Sequence, residues 1–178
     1  MTDRVSGTYR STPTPPEIHP ADSVEDPDLR HLLDYWNRLR GERAMPARAE
    51  IEPKELRRSL RYVHMYDVME GGQEFRARLV GTAVYPGLDK DQTGKLISEH
   101  PDPGVRLRFA VLLRHVVTHR APARSVSLRQ TNSAITDRRT EGLWLPLGEG
   151  EAVEQILVQS SLRPLGYAGA DPGTNRIF

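Results

Sequence analysis

Cysteine is absent from this 178-residue chain. Its absence excludes disulfide bonds, thiol catalysis and zinc or iron–sulfur centres with cysteine ligands. An excess of charge of one sign is also missing, because 25 basic residues nearly balance 24 acidic residues and leave a net charge of +1. Such a balance provides no long-range attraction to nucleic acid or to an anionic membrane. We therefore expect neither of them as a partner.

Long apolar segments are missing as well. No run approaches the ~20 apolar residues that span a bilayer, and the N-terminus lacks the apolar core of a secretion signal. A cytoplasmic location is therefore expected. The hydrophobic share of 37% is low for a wholly folded chain, which predicts disordered ends around a single domain. The expected division is a disordered proline-rich tail over residues 1–26, a folded domain over 27–165 and a flexible tail over 166–178.

Catalytic and metal-binding motifs are scarce. The sequence has no Gly-x-Ser-x-Gly elbow, no phosphate-binding glycine loop and no pattern of paired catalytic carboxylates, so we predict no catalytic residue and name no cofactor. His115 and His119 are four residues apart, a helical spacing at which two imidazoles can chelate zinc. No glutamate follows His115 and no third ligand is evident, so we predict a solvated helix flank and no metal site.

The first predicted helix covers residues 27–41. Asp26 can cap it, Pro27 suits its first turn, and Gly41 ends it. An apolar stripe at helical spacing indicates that this leading helix packs on something, either the sheet of its own chain or the same helix of a second copy. The stripe consists of Leu29, Leu32, Leu33, Trp36 and Leu39.

The order of the remaining elements predicts an α+β fold. Two strands, over residues 60–68 and from Phe75 onward, are joined by the turn Glu70-Gly71-Gly72-Gln73. A helix from Gly104 to about His119 follows, with Val105, Phe109, Leu112, Leu113 and Val116 on its buried face. Three further strands are predicted at 123–130, 141–147 and 153–162. Short turns between consecutive strands imply one five-stranded antiparallel sheet with helices on one face, in addition to the leading helix.

Four short motifs give the chain a family resemblance. In sequence order they are Tyr35-Trp36 in the leading helix, Pro46-Ala47-Arg48, the strand end Arg78-Leu79-Val80-Gly81-Thr82, and the late strand Trp144-Leu145-Pro146-Leu147. Together they resemble the bacterial stand-alone PAS-like sensory proteins over roughly residues 29–164. The lack of cysteine sets aside the relatives that sense light through a flavin–cysteine adduct.

The resemblance implies a non-catalytic sensory or protein-interaction module in bacterial signal transduction. A pocket between sheet and helices would hold a small ligand or remain filled by side chains, and its state would change contacts with an unknown signalling protein. Relatives of this kind often pair through the leading helix, so a homodimer is expected. The candidate ligand-binding residues are His64, Tyr66, Arg78, Tyr85, Phe109, Leu113, His115 and Trp144. His115 is included because some relatives bind haem through a histidine on the corresponding helix.

Two alternatives stay open on the sequence alone. One is a small α+β cone enzyme that uses His64 or Asp67 as a base and a tyrosine as oxyanion donor in an apolar cavity. The order of elements disfavours this alternative, because two strands precede the main helix. The other alternative is an adaptor that binds no ligand. In either case the segment 105–120 carries four arginines and no carboxylate, which suits an acidic partner, a phosphorylated ligand or plain solvation.

Overall fold

A computed structural model describes residues 15–57, 59–83, 92–129 and 138–164 of the chain. These residues form one antiparallel sheet in the order β1-β4-β5-β6-β2-β3, with two α-helices. The strands are β1 Glu17–Pro20, β2 Val63–Met69, β3 Glu74–Val80, β4 Ala123–Arg129, β5 Arg138–Leu147 and β6 Gln155–Pro164. The helices are α1 Pro27–Arg40 and α2 Pro103–His119. The predicted α+β fold with an antiparallel sheet is confirmed.

The sheet has six strands where the sequence predicted five. The additional strand, β1, lies in the segment that we expected to be a disordered tail, and it pairs with β4 from Glu17 opposite Val126 to Pro20 opposite Ala123. Its only large apolar side chain, Ile18, is partly buried against the core. A single apolar residue in a proline-rich segment is too weak a pattern to indicate a strand. The strand is held by backbone hydrogen bonds to β4, which do not depend on the side chains. The described residues begin at position 15, so the rest of the predicted tail lies outside them.

The two helices cover opposite faces of the sheet. Trp144 of β5 contacts Phe109 of α2, whereas Glu141 of the same strand contacts the backbone just before α1. Residues three apart on a strand point to opposite faces, so α2 lies on one face and α1 on the other. We call the face under α2 the inner face and the face under α1 the outer face.

Helix α1 begins as the sequence predicted. The carboxylate of Asp26 accepts hydrogen bonds from the backbone N–H groups of Asp28 at 2.8 Å and Leu29 at 3.3 Å. Leu29, Leu32, Leu33 and Trp36 are buried, and the indole N–H of Trp36 donates to the carbonyl oxygen of Pro146 at 2.9 Å. The apolar stripe therefore packs on the outer face of its own sheet, which is the first of the two arrangements considered for it.

Strand β3 departs from simple alternation at one position. Met65 pairs with Leu79 and Tyr66 with Ala77, so Arg78 is an extra residue in a β-bulge. The bulge reverses the side-chain parity beyond it. Leu79, expected on the buried face with Phe75, is instead 41% exposed, whereas Phe75 is 1% exposed.

None of the helices in the described part of the chain has the length and apolar character needed to cross a membrane.

Candidate functional site

Four rings pack together between the inner face of the sheet and α2. They belong to His64, Tyr66, Phe109 and Trp144, and we call them the aromatic cluster. The Phe109 ring lies 5.3 Å from Trp144, 5.7 Å from Tyr66 and 6.1 Å from His64, measured between centroids. These distances are within the range of direct aromatic contact. The sheet and the helix therefore fill the space between them with their own side chains at this point.

Strand alternation brings the cluster together. His64 and Tyr66 are two residues apart on β2 and so share the inner face, and His64 lies opposite Val158, which in turn lies opposite Trp144. The Trp144 indole N–H donates to the hydroxyl of Ser125 at 2.8 Å. Gly142 leaves room for this bond, since a Cβ there would approach the Ser125 oxygen to 2.8 Å and the Trp144 nitrogen to 3.0 Å.

His64 is the polar centre of the cluster. Its side chain is inaccessible to solvent, and Nδ1 lies 3.1 Å from the hydroxyl oxygen of Tyr66, at hydrogen-bonding distance. Burial lowers the pKa of His64 to about 3, because the charged imidazolium would lose its hydration. The imidazole is therefore neutral near pH 7, and it can donate or accept a hydrogen bond within an otherwise apolar interior.

A narrow cleft borders the cluster at Tyr66. Its volume of about 10 Å³ is close to the minimum for one water molecule. The described residues that line it are Tyr66, Ala77, Val80, Gln92, Lys95, Leu96, Ile97 and His100. Small-molecule sites measure roughly 300–1,000 Å³, so this cleft admits no such ligand in the described conformation.

His100 and Gln92 are buried residues of this cleft that the sequence reasoning missed. His100 Nδ1 accepts a hydrogen bond from the Asp102 backbone N–H at 3.1 Å, and burial is the main cause that lowers the pKa of His100. No motif or spacing in the sequence indicated that either residue would be buried.

The other predicted site residues are distributed differently. Leu113 is fully buried and belongs to the same core as the aromatic cluster. Arg78 is largely exposed, and its Nη1 lies 3.8 Å from the Asp67 carboxylate, so it forms a surface ion pair away from the cluster. Tyr85 lies outside the described residues. The structure thus brings His64, Tyr66, Phe109 and Trp144 together and leaves Arg78 apart.

His115 also lies apart from the cluster. It is partly exposed and its ring stacks on His119 with centroids 4.0 Å apart. The His119 Nδ1–H donates to the His115 carbonyl oxygen at 2.8 Å. Partial burial is the main cause that lowers the pKa of His115, and the neighbouring His119 lowers it further. Over residues 15–57, 59–83, 92–129 and 138–164, no cluster of three or more histidine or carboxylate side chains is arranged to hold a metal ion.

The catalytic set of the alternative enzyme hypothesis is divided between the two faces. His64 and Tyr66 meet on the inner face, but Asp67 points to the outer face. There its carboxylate accepts a hydrogen bond from Gln155 at 2.7 Å and pairs with Arg76 at 3.2 Å. The geometry therefore gives an imidazole–hydroxyl pair without the carboxylate that would orient it for proton transfer.

A buried ionic network fixes the start of α1 to the outer face. The Arg124 Nε–H donates to Glu141 at 2.6 Å, and both side chains are 7% exposed. The Glu141 carboxylate also accepts the backbone N–H groups of Glu25 at 2.8 Å and Asp26 at 3.0 Å. The Ser161 hydroxyl donates to Asp26 at 2.5 Å. Nothing in the spacing of these residues indicates that they meet, since they come from four separate parts of the chain: the start of α1, β4, β5 and β6.

Another cleft among the described residues lies beside the turn between β5 and β6. It measures about 550 Å³ and is open to solvent. It is lined by Arg43, Ala44, Met45, Ala47, Glu50, Gly148, Glu149, Gly150 and Glu151. None of the predicted site residues lies in it. Of its charged residues, Arg43 forms an ion pair with Glu50, and Glu151 forms one with Arg120.

Comparison with known proteins gives one family match. A family model described as "PAS domain" matches residues 24–159, which is most of the chain and includes α1, α2 and the strands from β2 to the middle of β6. No curated protein and no solved structure matches the chain.

Proposed function

Because the chain belongs to the PAS domain family, we propose that it is a non-catalytic protein-interaction module in bacterial signal transduction, with its interior filled by its own side chains. The observation that supports this is the contact of Phe109 with the rings of Tyr66 and Trp144 at 5.7 and 5.3 Å. A packed interior transmits a change at one surface to another through α2, without a ligand. Its output is contact with another signalling protein.

A second candidate is a sensor that binds a small ligand in the same place. The observation that favours it is the His64–Tyr66 pair, because a core that only needs apolar bulk gains nothing from a buried imidazole. A ligand with one hydrogen-bonding group would exchange that bond with His64 and separate Phe109 from Trp144. Such binding requires α2 to move away from the sheet, since the bordering cleft holds about 10 Å³. His64, Tyr66, Phe109, Leu113 and Trp144 stay the proposed contact residues.

The homodimer implied by the family resemblance remains a prediction. The apolar stripe of α1 is buried against its own sheet. A symmetric contact would therefore use the opposite, polar side of the helix, where the exposed residues are Arg30, His31, Asp34 and Arg38. An interface of that composition is the kind found in weak or transient pairs. The cytoplasmic location likewise remains a prediction.

Native mass spectrometry of the full chain, purified from its own host beside a denatured control, tests the proposal. We expect the mass of the bare chain, alone or with a partner protein, and no small molecule. A molecule retained natively and lost on denaturation would replace the filled-interior proposal with the ligand-sensor candidate. The same spectrum counts the copies of the chain and therefore tests the homodimer.

A further inference from the structure

The side of α2 that points away from the sheet has an unusual combination of side chains. Leu107, Val111 and Arg114 follow one another at helical spacing opposite the buried Phe109, and Arg108 and His115 lie along one flank. We call these five residues the outer face of α2. Leu107 is 39% exposed. It is one of three exposed large hydrophobic residues in the described part of the chain, together with Leu60 and Leu79. An apolar centre between cationic side chains is thus open to solvent.

The positive charge of this helix is not neutralised locally. From Pro103 to Pro122 the sequence contains no aspartate or glutamate. Arg114 donates to the carbonyl oxygen of Gln73 at 3.0 Å and forms no ion pair with any residue that the structure describes. Arg108 takes part in none of the ion pairs formed within the described ranges. Arg120, which follows the outer face of α2 along the chain, is paired with Glu151.

Helix α1 provides an internal comparison. Its solvent-exposed side carries both signs of charge, with Asp28 and Asp34 among Arg30 and Arg38, and its apolar residues are buried apart from the partly buried Leu39. That is the ordinary composition of a solvated helix face. The outer face of α2 differs from it both in its single sign of charge and in its exposed leucine.

We infer that the outer face of α2 is a docking site for an acidic amphipathic helix of a partner protein. Leucine-sized side chains of that helix would cover Leu107 and Val111, and its carboxylates would pair with Arg108 and Arg114. The inference rests on the proposed function and adds the surface and the chemistry of the partner. Nucleic acid suits the face less well, because the apolar centre of Leu107 and Val111 has nothing to contact on a phosphate backbone.

Site-specific photocrosslinking in cells of the native host tests the inference. A photoreactive residue replaces Thr118, which is exposed on the same row of α2 without being part of the outer face of α2, and a control replaces the exposed Glu55, which lies on neither helix. Crosslinked peptides are identified by mass spectrometry. We expect an adduct at position 118 whose partner segment is acidic and amphipathic. A neutral or basic segment, or a nucleic-acid or lipid adduct, would overturn the inference.

Charge reversal shows whether the attraction is electrostatic. In the double variant Arg108→Glu with Arg114→Glu we expect the adduct to disappear, and the Kd of a synthetic peptide of the crosslinked segment to rise more than tenfold. The matched control, Arg57→Glu with Arg61→Glu, changes the net charge equally on another exposed surface, and its Kd should stay within twofold. Equal effects of the two double variants would overturn the inference, with circular dichroism verifying that both are folded.

The two levels of the proposal fail differently. An adduct at position 55 without one at position 118 leaves the interaction module standing and removes this docking surface. The absence of adducts at both positions, together with a retained small molecule in the native mass spectrum, contradicts the interaction module itself.

Discussion

Lowering the pH should destabilise this protein through His64. Burial holds the folded-state pKa of His64 at about 3, against 6.5 for a solvated imidazole. Below pH 6.5 the unfolded chain therefore takes up a proton that the folded chain does not, so stability falls as the pH falls, down to about pH 3. At pH 5.0 these two pKa values correspond to a loss of about 2 kcal/mol relative to pH 7.5.

The assay is urea unfolding at pH 7.5, 6.0 and 5.0, on the wild type and on His64→Leu. The variant should lose about 2 kcal/mol less than the wild type between pH 7.5 and 5.0, since leucine has no proton to gain. Its lower stability at pH 7.5, from the lost bond to Tyr66, does not affect this difference. His100 titrates in both proteins and cancels. A His31→Leu control on the exposed side of α1 should follow the wild type. Equal pH dependence in wild type and His64→Leu would refute a buried neutral His64.

Three further substitutions test other contacts, each measured as a change in the free energy of unfolding by urea titration. Glu141→Gln should cost about 3 kcal/mol, because all three groups bonded to Glu141 are donors and the buried Arg124 loses its nearest anion; a cost below 1 kcal/mol would contradict this. Gly81→Ala should cost roughly 1–3 kcal/mol, because its Cβ would collide with the backbone of Arg61, and a neutral result would remove that close approach. Asp26→Ala should cost about 1–2 kcal/mol through loss of the α1 cap, with Asp26→Asn recovering part of it.

Much of the fold followed from local chemistry in the sequence. Asp26 acts as the predicted helix cap, and Asp102 caps α2 in the same way, since a carboxylate before a proline and an apolar stripe satisfies the free N–H groups of the first turn. The buried face of α2 was predicted residue by residue, including Phe109 and Leu113. The glycine of the Arg78–Thr82 motif also has a local reason, because the missing side chain of Gly81 lets the backbone of Leu60 and Arg61 approach.

The sequence was less informative where a feature depends on pairing between distant segments. Strand β1 is held by backbone hydrogen bonds to β4. Such bonds require no particular side chains, so the sequence of β1 shows no apolar pattern. The bulge at Arg78 places the side chain of Leu79 on the opposite face of the sheet from the one expected. No glycine or other turn residue beside Arg78 indicates the bulge in the sequence. The Arg124–Glu141 pair and its contact with the start of α1 join three remote segments, so only their folded positions reveal them.

For the candidate site, the sequence indicated which residue types to consider and left their geometry open. Large polar and aromatic side chains on β2, α2 and β5 indicated an interior with His64, Tyr66, Phe109 and Trp144. Sequence spacing does not determine whether such rings surround a space or contact one another. That depends on the distance between α2 and the sheet, which leaves the rings in contact.

The central claim is that the protein's own rings fill the interior between the sheet and α2, and proton NMR of the full chain purified from its host tests it most directly. We predict nuclear Overhauser effects between the ring protons of Phe109 and those of both Trp144 and Tyr66, because their centroids lie 5.3 and 5.7 Å away. Absence of these effects, with effects from a bound small molecule to the same rings in their place, would contradict the account.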